Sequence, residues 1–241
     1  MKFLVIHLAR AEQRNPIVEQ LRELVPGEMG VVDAIDAHEL SQSEIALLTS
    51  GPNRFPPYPF RLRASEVACF LSHRKAWRMI AESEELGAMV LEDDVVLDMP
   101  AFAKALSLVK QHAGEDSFVR FPYKNREKPR MRLAQEGETC IFEPNICGLG
   151  MQAQYVGRNA AIRLLAATER FDRPVDTTLQ QTWITGQVNH TIWPSGVSEV
   201  SGDIGGSTIG QRKSLTAKLY REIARPAYRL ALWAAIQSKA R

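Results

Sequence analysis

Leu91-Glu92-Asp93-Asp94 places three consecutive carboxylates directly after a short apolar run, Ala88–Leu91. Three like charges this close repel one another unless a cation or water relieves them. A hard divalent ion, Mn²⁺ or Mg²⁺, would do so through oxygen ligands. It would also neutralise a diphosphate as a bond to that diphosphate breaks. The bland alternative for the same residues is a solvated turn or a helix N-cap. A second group lies upstream: Glu66, Cys69, Ser72-His73 and Trp77. On a helix, Cys69, His73 and Trp77 fall on one stripe at four-residue spacing, with Glu66 on nearly the same face. That stripe can contact a nucleotide or brace a site. It reads equally well as an ordinary helix capped by Ser65, with Trp77 in the core. A Cys–His nucleophilic pair has no protease signature around it.

The elements that must position these groups follow from periodicity. Phe3–Leu8 is an apolar run that reads as a buried strand. Asn15-Pro16 then gives an N-cap followed by proline at the first helical position, and Ile17, Val18, Leu21, Leu24 and Val25 recur at helical spacing. Gly30–Ile35 reads as a second strand ending at Asp36. A strand–helix–strand opening is the mark of an α/β fold with a mostly parallel sheet. Gly51–Arg63 holds four prolines and reads as a loop. Val67, Phe70, Leu71, Trp77 and Ile80 mark a long helix ending near Gly87, and Ala88–Leu91 is a strand leading straight into the acids. In open α/β sheets, ligands bind outside the carboxyl ends of the strands. A helix opened by Pro100, strands over 118–121, 139–142, 151–156 and 190–193, and a helix over 158–168 complete the body.

The chain has 241 residues, a net charge of +2 and three cysteines at spacings that match no zinc or redox motif. Reduced thiols in a cytoplasmic protein are the simplest expectation. Residues 213–241 hold seven Lys/Arg and one acid, a local charge of +6. In the tail, Lys218, Arg221, Arg225 and Arg229 interleave with Leu219, Ile223, Tyr228, Leu232 and Trp233, as in an interfacial helix on anionic lipid; a helix packed on the body is the alternative. A break is expected near Pro226. The chain therefore divides into residues 1–213 and a basic amphipathic tail, 214–241. No nucleic-acid-binding module accompanies the basic segments, so nucleic acid is not an expected partner. Lys124, Arg126, Lys128, Arg130 and Arg132 read as a basic loop that is either solvated or touches a phosphorylated acceptor.

The ordered set of blocks resembles glycosyltransferase family 25, the bacterial lipopolysaccharide and lipooligosaccharide sugar transferases related to collagen galactosyltransferases. The blocks are Leu8-Ala9-Arg10 with Arg14, Ala34-Ile35-Asp36, Glu66 with Cys69 and Ser72-His73, and Leu91-Glu92-Asp93-Asp94. Gly150 to Tyr155, Pro174-Val175-Asp176 and Ser207-Thr208-Ile209 follow in order. The chain departs from the family pattern at Ala9, Ala37, Ser65 and Ala68.

The resemblance implies a GT-A-like nucleotide-sugar-binding fold, a UDP-sugar donor and a Mn²⁺ or Mg²⁺ cofactor. Glu92 and Asp94 would hold the metal, with Asp93 between them. Leu8, Arg10, Arg14, Asp36 and His73 would line the nucleotide pocket. From its residues, Gly202–Ser207 reads either as a plain flexible linker or as a mobile lid with Arg212 and Lys213 behind it to neutralise the leaving diphosphate. An inverting transfer needs a carboxylate within reach of the acceptor hydroxyl; Asp176 is the expected base and Glu66 the alternative. His190 is a candidate third ligand, though a lone strand histidine is also an ordinary structural residue. The expected reaction moves a hexose, foremost galactose from UDP-galactose, onto a lipopolysaccharide, lipooligosaccharide or related glycan acceptor. Its expected place is the cytoplasmic face of the inner membrane, held through the tail. The rival expectation is an inactive family member that binds glycan or membrane as an assembly module.

Overall fold

The computed structural model describes residues 1–49, 54–199 and 215–239, with side chains in the last segment described for Tyr220 and residues 222–238. The body runs β1 (Lys2–His7), α1 (Asn15–Leu24), β2 (Met29–Asp33), α2 (Gln42–Thr49), α3 (Ala64–Ala81), β3 (Gly87–Glu92), β4 (Val95–Leu97) and α4 (Met99–His112). It continues through β5 (Phe118–Arg120), β6 (Pro129–Glu136), β7 (Thr139–Pro144), β8 (Ala153–Gly157), α5 (Arg158–Ala167), α6 (Val175–Leu179), α7 (Thr182–Thr185), β9 (His190–Trp193) and β10 (Val197–Glu199), before the tail helix α8 (Leu215–Lys239).

Eight strands form one sheet in the order β2-β1-β3-β8-β5-β9-β7-β6. β1 pairs in parallel with both β2 and β3, and β5 with β9. β8 runs antiparallel to β3 and β5, and β7 antiparallel to β9 and β6. Six of the eight strands thus share one direction, and the mostly parallel sheet is borne out. β4 and β10 form a separate antiparallel pair.

The two-residue period of the strands sorts their side chains between two helical layers. Phe3 and Val5 of β1, with Met89 and Leu91 of β3, pack toward α1 and α4, against Ile17, Leu21, Phe102 and Leu106. Leu4 and Ile6, with Ala88 and Val90, pack toward α3, α5 and α6, against Phe70, Trp77, Leu164 and Leu179. Because both faces of the central strands are covered, they read as continuous apolar runs rather than alternating ones.

Several boundaries differ from expectation for local reasons. Asn15 is the first residue of α1 rather than its cap, and α3 begins at Ala64 with Arg63 as its cap, so Ser65 caps nothing. Two of the five residues of the basic stretch are not loop: Arg130 and Arg132 lie in β6, where Arg130 pairs with Glu143 of β7 at 2.5 Å. The helix does not break near Pro226, since α8 continues through it. A proline inside a helix costs about 3 kcal/mol, and the following turns dock on the body, where Leu232 and Ala235 are buried. Tyr228 adds a polar anchor by accepting from Arg173 Nη1 at 3.0 Å. Among the described residues no helix is long and apolar enough to cross a membrane.

Candidate active site

The three acids leave β3 at its carboxyl end, beside the end of β1, where Ile6 stands level with Glu92. The strand period aims each acid differently. Glu92 shares a face with Val90 and turns toward α3, where its Oε1 lies 3.0 Å from His73 Nε2 and 4.0 Å from Cys69 Sγ. Asp93 turns toward α1. Its carboxylate takes His7 Nδ1 at 2.8 Å, the Leu8 N–H at 3.3 Å and the Arg14 guanidinium. Asp93 is therefore a satisfied, buried hub that ties β1, α1 and β3 together. His7 was not among the expected site residues; its signal was a polar residue ending an apolar strand.

Asp94 is different. Arg14 Nη2 approaches its Oδ2 only to 3.7 Å, and its Oδ1 is buried with no partner. Burial, then the negative charge of Glu92, pushes its pKa up to about 7, with Arg14 acting the other way. A buried carboxylate oxygen without a donor is costly unless something positive meets it. The residues present therefore fit a hard divalent cation held by Glu92 and Asp94. Cys69, His73 and Glu92 also converge, their ligand atoms all within 4.8 Å of one another. That mixed set suits a softer metal less than its composition suggests. Burial first, then Glu92, Asp176 and Asp94, holds the Cys69 thiol well above its usual range, which disfavours the thiolate. The Cys69 side chain is nonetheless reachable from solvent, as a residue on the floor of a cleft would be.

Arg10 and Asp36 form a two-point pair, with Nη2 to Oδ1 at 3.0 Å, and Asp36 also accepts the His38 N–H at 2.8 Å. The Arg10 hydrogen bond holds the Asp36 carboxyl below its usual range. Ser72 Oγ accepts the Ile35 N–H at 2.9 Å and so fixes the segment that follows β2 against α3. Leu8, Arg10, Arg14, Asp36, His73, Glu92 and Asp93 thus gather along the carboxyl edge of the parallel strands. Glu66 is committed locally: its carboxylate accepts from the Arg63 N–H at 2.8 Å and from Arg63 Nη2 at 3.0 Å, closing a capping box on α3.

Asp176 lies in the first turn of α6, where Oδ1 accepts the Thr177 N–H at 2.7 Å. Its Oδ2 accepts the Gly150 N–H at 2.9 Å. Gly150 has φ +98°, a backbone state that side chains disfavour, and that turn is what aims its N–H at Asp176. The loop holding Gly150 is pinned by fully buried Arg120, whose Nη2 donates to the Leu149 and Gly150 carbonyls at 3.0 Å each. Arg120 also pairs with buried Glu127. His190 begins β9 level with Val119, outside the cluster at the end of β3, and burial lowers its pKa. Arg212 and the Gly202–Ser207 segment lie outside the described residues.

Glycosyltransferase family 25 (LPS biosynthesis protein) matches residues 1–179. A glycosyltransferase 25 family member of Drosophila melanogaster is 28% identical over 178 residues, 69% of this chain and 28% of its own. Procollagen galactosyltransferase 2 of Homo sapiens is 31% identical over 113 residues, 45% of this chain and 18% of its own. The chain thus spans less than a third of the length of these relatives. Among solved structures, mannose-1-phosphate geranyltransferase from Thermus thermophilus aligns over 79% of this chain and 72% of its own at 12% identity, with a TM-score of 0.38, too low to bear weight. On the family match over residues 1–179, three quarters of its length, this chain belongs to glycosyltransferase family 25.

Proposed function

We propose that the chain is a metal-dependent, inverting glycosyltransferase that moves a hexose, foremost galactose from UDP-galactose, onto a lipopolysaccharide, lipooligosaccharide or related glycan. The observation that carries the metal is the buried, unpartnered Oδ1 of Asp94 beside Glu92. When bound, a divalent ion would supply charge neutralisation at the departing diphosphate. The chain's own residues do the rest. Arg14, held in place by Asp93, sets the positive edge of the donor pocket, and Arg10 and Asp36 shape its rim. Asp176 takes the proton of the acceptor hydroxyl as that oxygen bonds to the anomeric carbon and the bond to UDP breaks. Its Oδ2 accepts only the Gly150 N–H and so keeps a lone pair for that proton, while Oδ1 is taken up by the Thr177 N–H and hydroxyl.

We also assign the tail to an anionic membrane surface on the cytoplasmic side. Ile223, Leu230 and Trp233 of α8 remain 65%, 67% and 50% exposed, although Tyr228 and Leu232 are turned inward. An apolar strip on a basic helix suits the lipid interface. The decisive experiment is a screen of UDP-sugars for hydrolysis and transfer with Mn²⁺ or with chelator. Mn²⁺-dependent turnover of one UDP-hexose is expected. Thermal stabilisation by nucleotide sugar without turnover on any glycan would favour the non-catalytic binding module instead, and no response to any nucleotide sugar would sink both.

A further inference from the structure

A cleft of about 760 Å³ opens beside Asp176, with Gly150 and Thr177 in its lining. That volume lies within the range of small-ligand pockets. Its walls come from segments far apart in sequence. Tyr58 and Phe60 stand on one side, Lys124 and Arg126 on another, and Arg225, Tyr228 and Arg229 of α8 complete it. Resting on the transferase reading, we infer that this cleft is the acceptor subsite and that it selects a saccharide bearing an anionic group, a phosphate or a carboxylate.

Three observations converge. Among the described residues, Lys124, Arg126, Arg225 and Arg229 have no carboxylate in ion-pair reach, so four cations face one cavity with their charge unspent. The Lys124 ammonium rests over the Tyr123 ring, 4.7 Å from its centre, and stays available to an anion. Next, the buried Glu127 carries an Oε2 atom with no partner, and Glu127 lines this cleft. Its Oε1 is used by Arg120 and by the Gly148 N–H, which leaves Oε2 to accept from a ligand hydroxyl. Third, Tyr58 meets Phe60 and Tyr228 edge-on, each at 5.5 Å between centres, so the rings are fixed relative to one another before a ligand arrives. Fixed amphipathic rings, a hydroxyl acceptor and a set of unpaired cations are what a charged sugar requires and a neutral apolar ligand does not.

The face of α8 toward the cleft is thus chemically distinct from its outer strip of Ile223, Leu230 and Trp233. The tail completes a binding site as well as offering a surface.

The test measures binding of mannose 6-phosphate, galacturonate, mannose and inorganic phosphate to the full chain by titration calorimetry. At least one of the two charged sugars should bind tenfold or more tighter than mannose, and which one does identifies the anion. The Arg225→Gln/Arg229→Gln variant should lose that preference while its melting temperature stays near wild type. The Lys124→Gln/Arg126→Gln variant, altered on a different element, should lose it too. Mannose binding as tightly as both charged sugars, inorganic phosphate binding as tightly as mannose 6-phosphate, or a preference that survives both double variants would overturn the assignment. The same titration on Asp94→Ala keeps the two readings apart. Charged-sugar preference there, with no nucleotide-sugar turnover in the wild type, sinks the transferase and the acceptor role and leaves the cleft only as a charged-saccharide site. Turnover with no such preference sinks the cleft alone.

Discussion

The carboxylate edge after β3 and the cleft under α8 differ in sign and in how they are held. At the edge, Glu92, Asp93 and Asp94 are consecutive, and the pleat of one central strand sends them toward different neighbours. The cations of the cleft, Lys124, Arg126, Arg225 and Arg229, come from a loop and a distant helix. Negative charge is concentrated where the backbone is most constrained, beside two parallel strand ends. Positive charge is gathered where a late helix packs across the body. The lesson is that a strongly repulsive cluster needs a rigid scaffold and a partly buried counter-charge, here Arg14, whereas solvated cations can be assembled from mobile side chains at little cost. Asp176 lies where the two regions meet: it influences Cys69 on the floor of the edge, and its partner Gly150 lines the cleft.

The sharpest break in the comparison is at that meeting point. Asp176→Asn should lower kcat by roughly 10²–10⁴-fold, the usual worth of a general base. Donor KM should barely move, as steady-state kinetics would read; an unchanged kcat would remove Asp176 from the chemistry. Next comes Asp94→Ala, expected to cost about a hundredfold or more in metal-dependent turnover, since a bound ion contributes several kcal/mol. Its thermal stability should hold or rise, because it deletes an unsatisfied buried oxygen. Asp93→Ala should do the opposite. It strands partly buried Arg14 and His7, and breaking such a buried pair costs about 3–5 kcal/mol, a loss that chemical denaturation would register. If the two neighbours behaved alike, the division between a structural and a functional aspartate would fail.

A smaller effect follows from pH. Burial and then Glu92 raise Asp94 to about 7. A raised carboxyl favours the folded state while protonated, so the ion-free protein should lose stability as pH climbs from the ordinary aspartate range to about 7. A cation needs the ionised form, so Mn²⁺ affinity should rise over the same interval and level off above it. Calorimetric titration at pH 6 and pH 8 would show this, and Asp94→Asn should flatten it. The smallest change belongs to the outer strip of α8. Replacing Ile223, Leu230 and Trp233 with serine should weaken sedimentation with anionic vesicles while leaving turnover on a soluble acceptor within about twofold, since exposed side chains contribute little to the fold.

Much of the carboxylate edge was legible in the chain. The apolar runs of β1 and β3, the helical period of α3 and the uninterrupted acids follow local rules that a single strand or helix obeys alone. The cleft was not legible in that way. Its cations read as a loop, solvated or touching a phosphorylated acceptor, and as a tail, interfacial or packed on the body, because nothing in Lys124-Asn125-Arg126 or in Arg225 to Arg229 reveals that they face one another. Glu66 shows the same limit in reverse: its place in the block suggested a base, and local geometry committed it to the cap of α3.

By itself the sequence determined which carboxylates crowd together and which strands carry them, since neighbours along the chain repel or alternate wherever the chain goes. Only the tertiary structure decided that Asp93 is satisfied and Asp94 is not. That difference depends on His7 and Arg14, eighty or so residues away, reaching one aspartate and stopping short of the next. It also decided that Pro226 does not end α8. Burial of Leu232 and Ala235 outweighs a local backbone penalty, and a sum over distant partners is what no window of sequence contains.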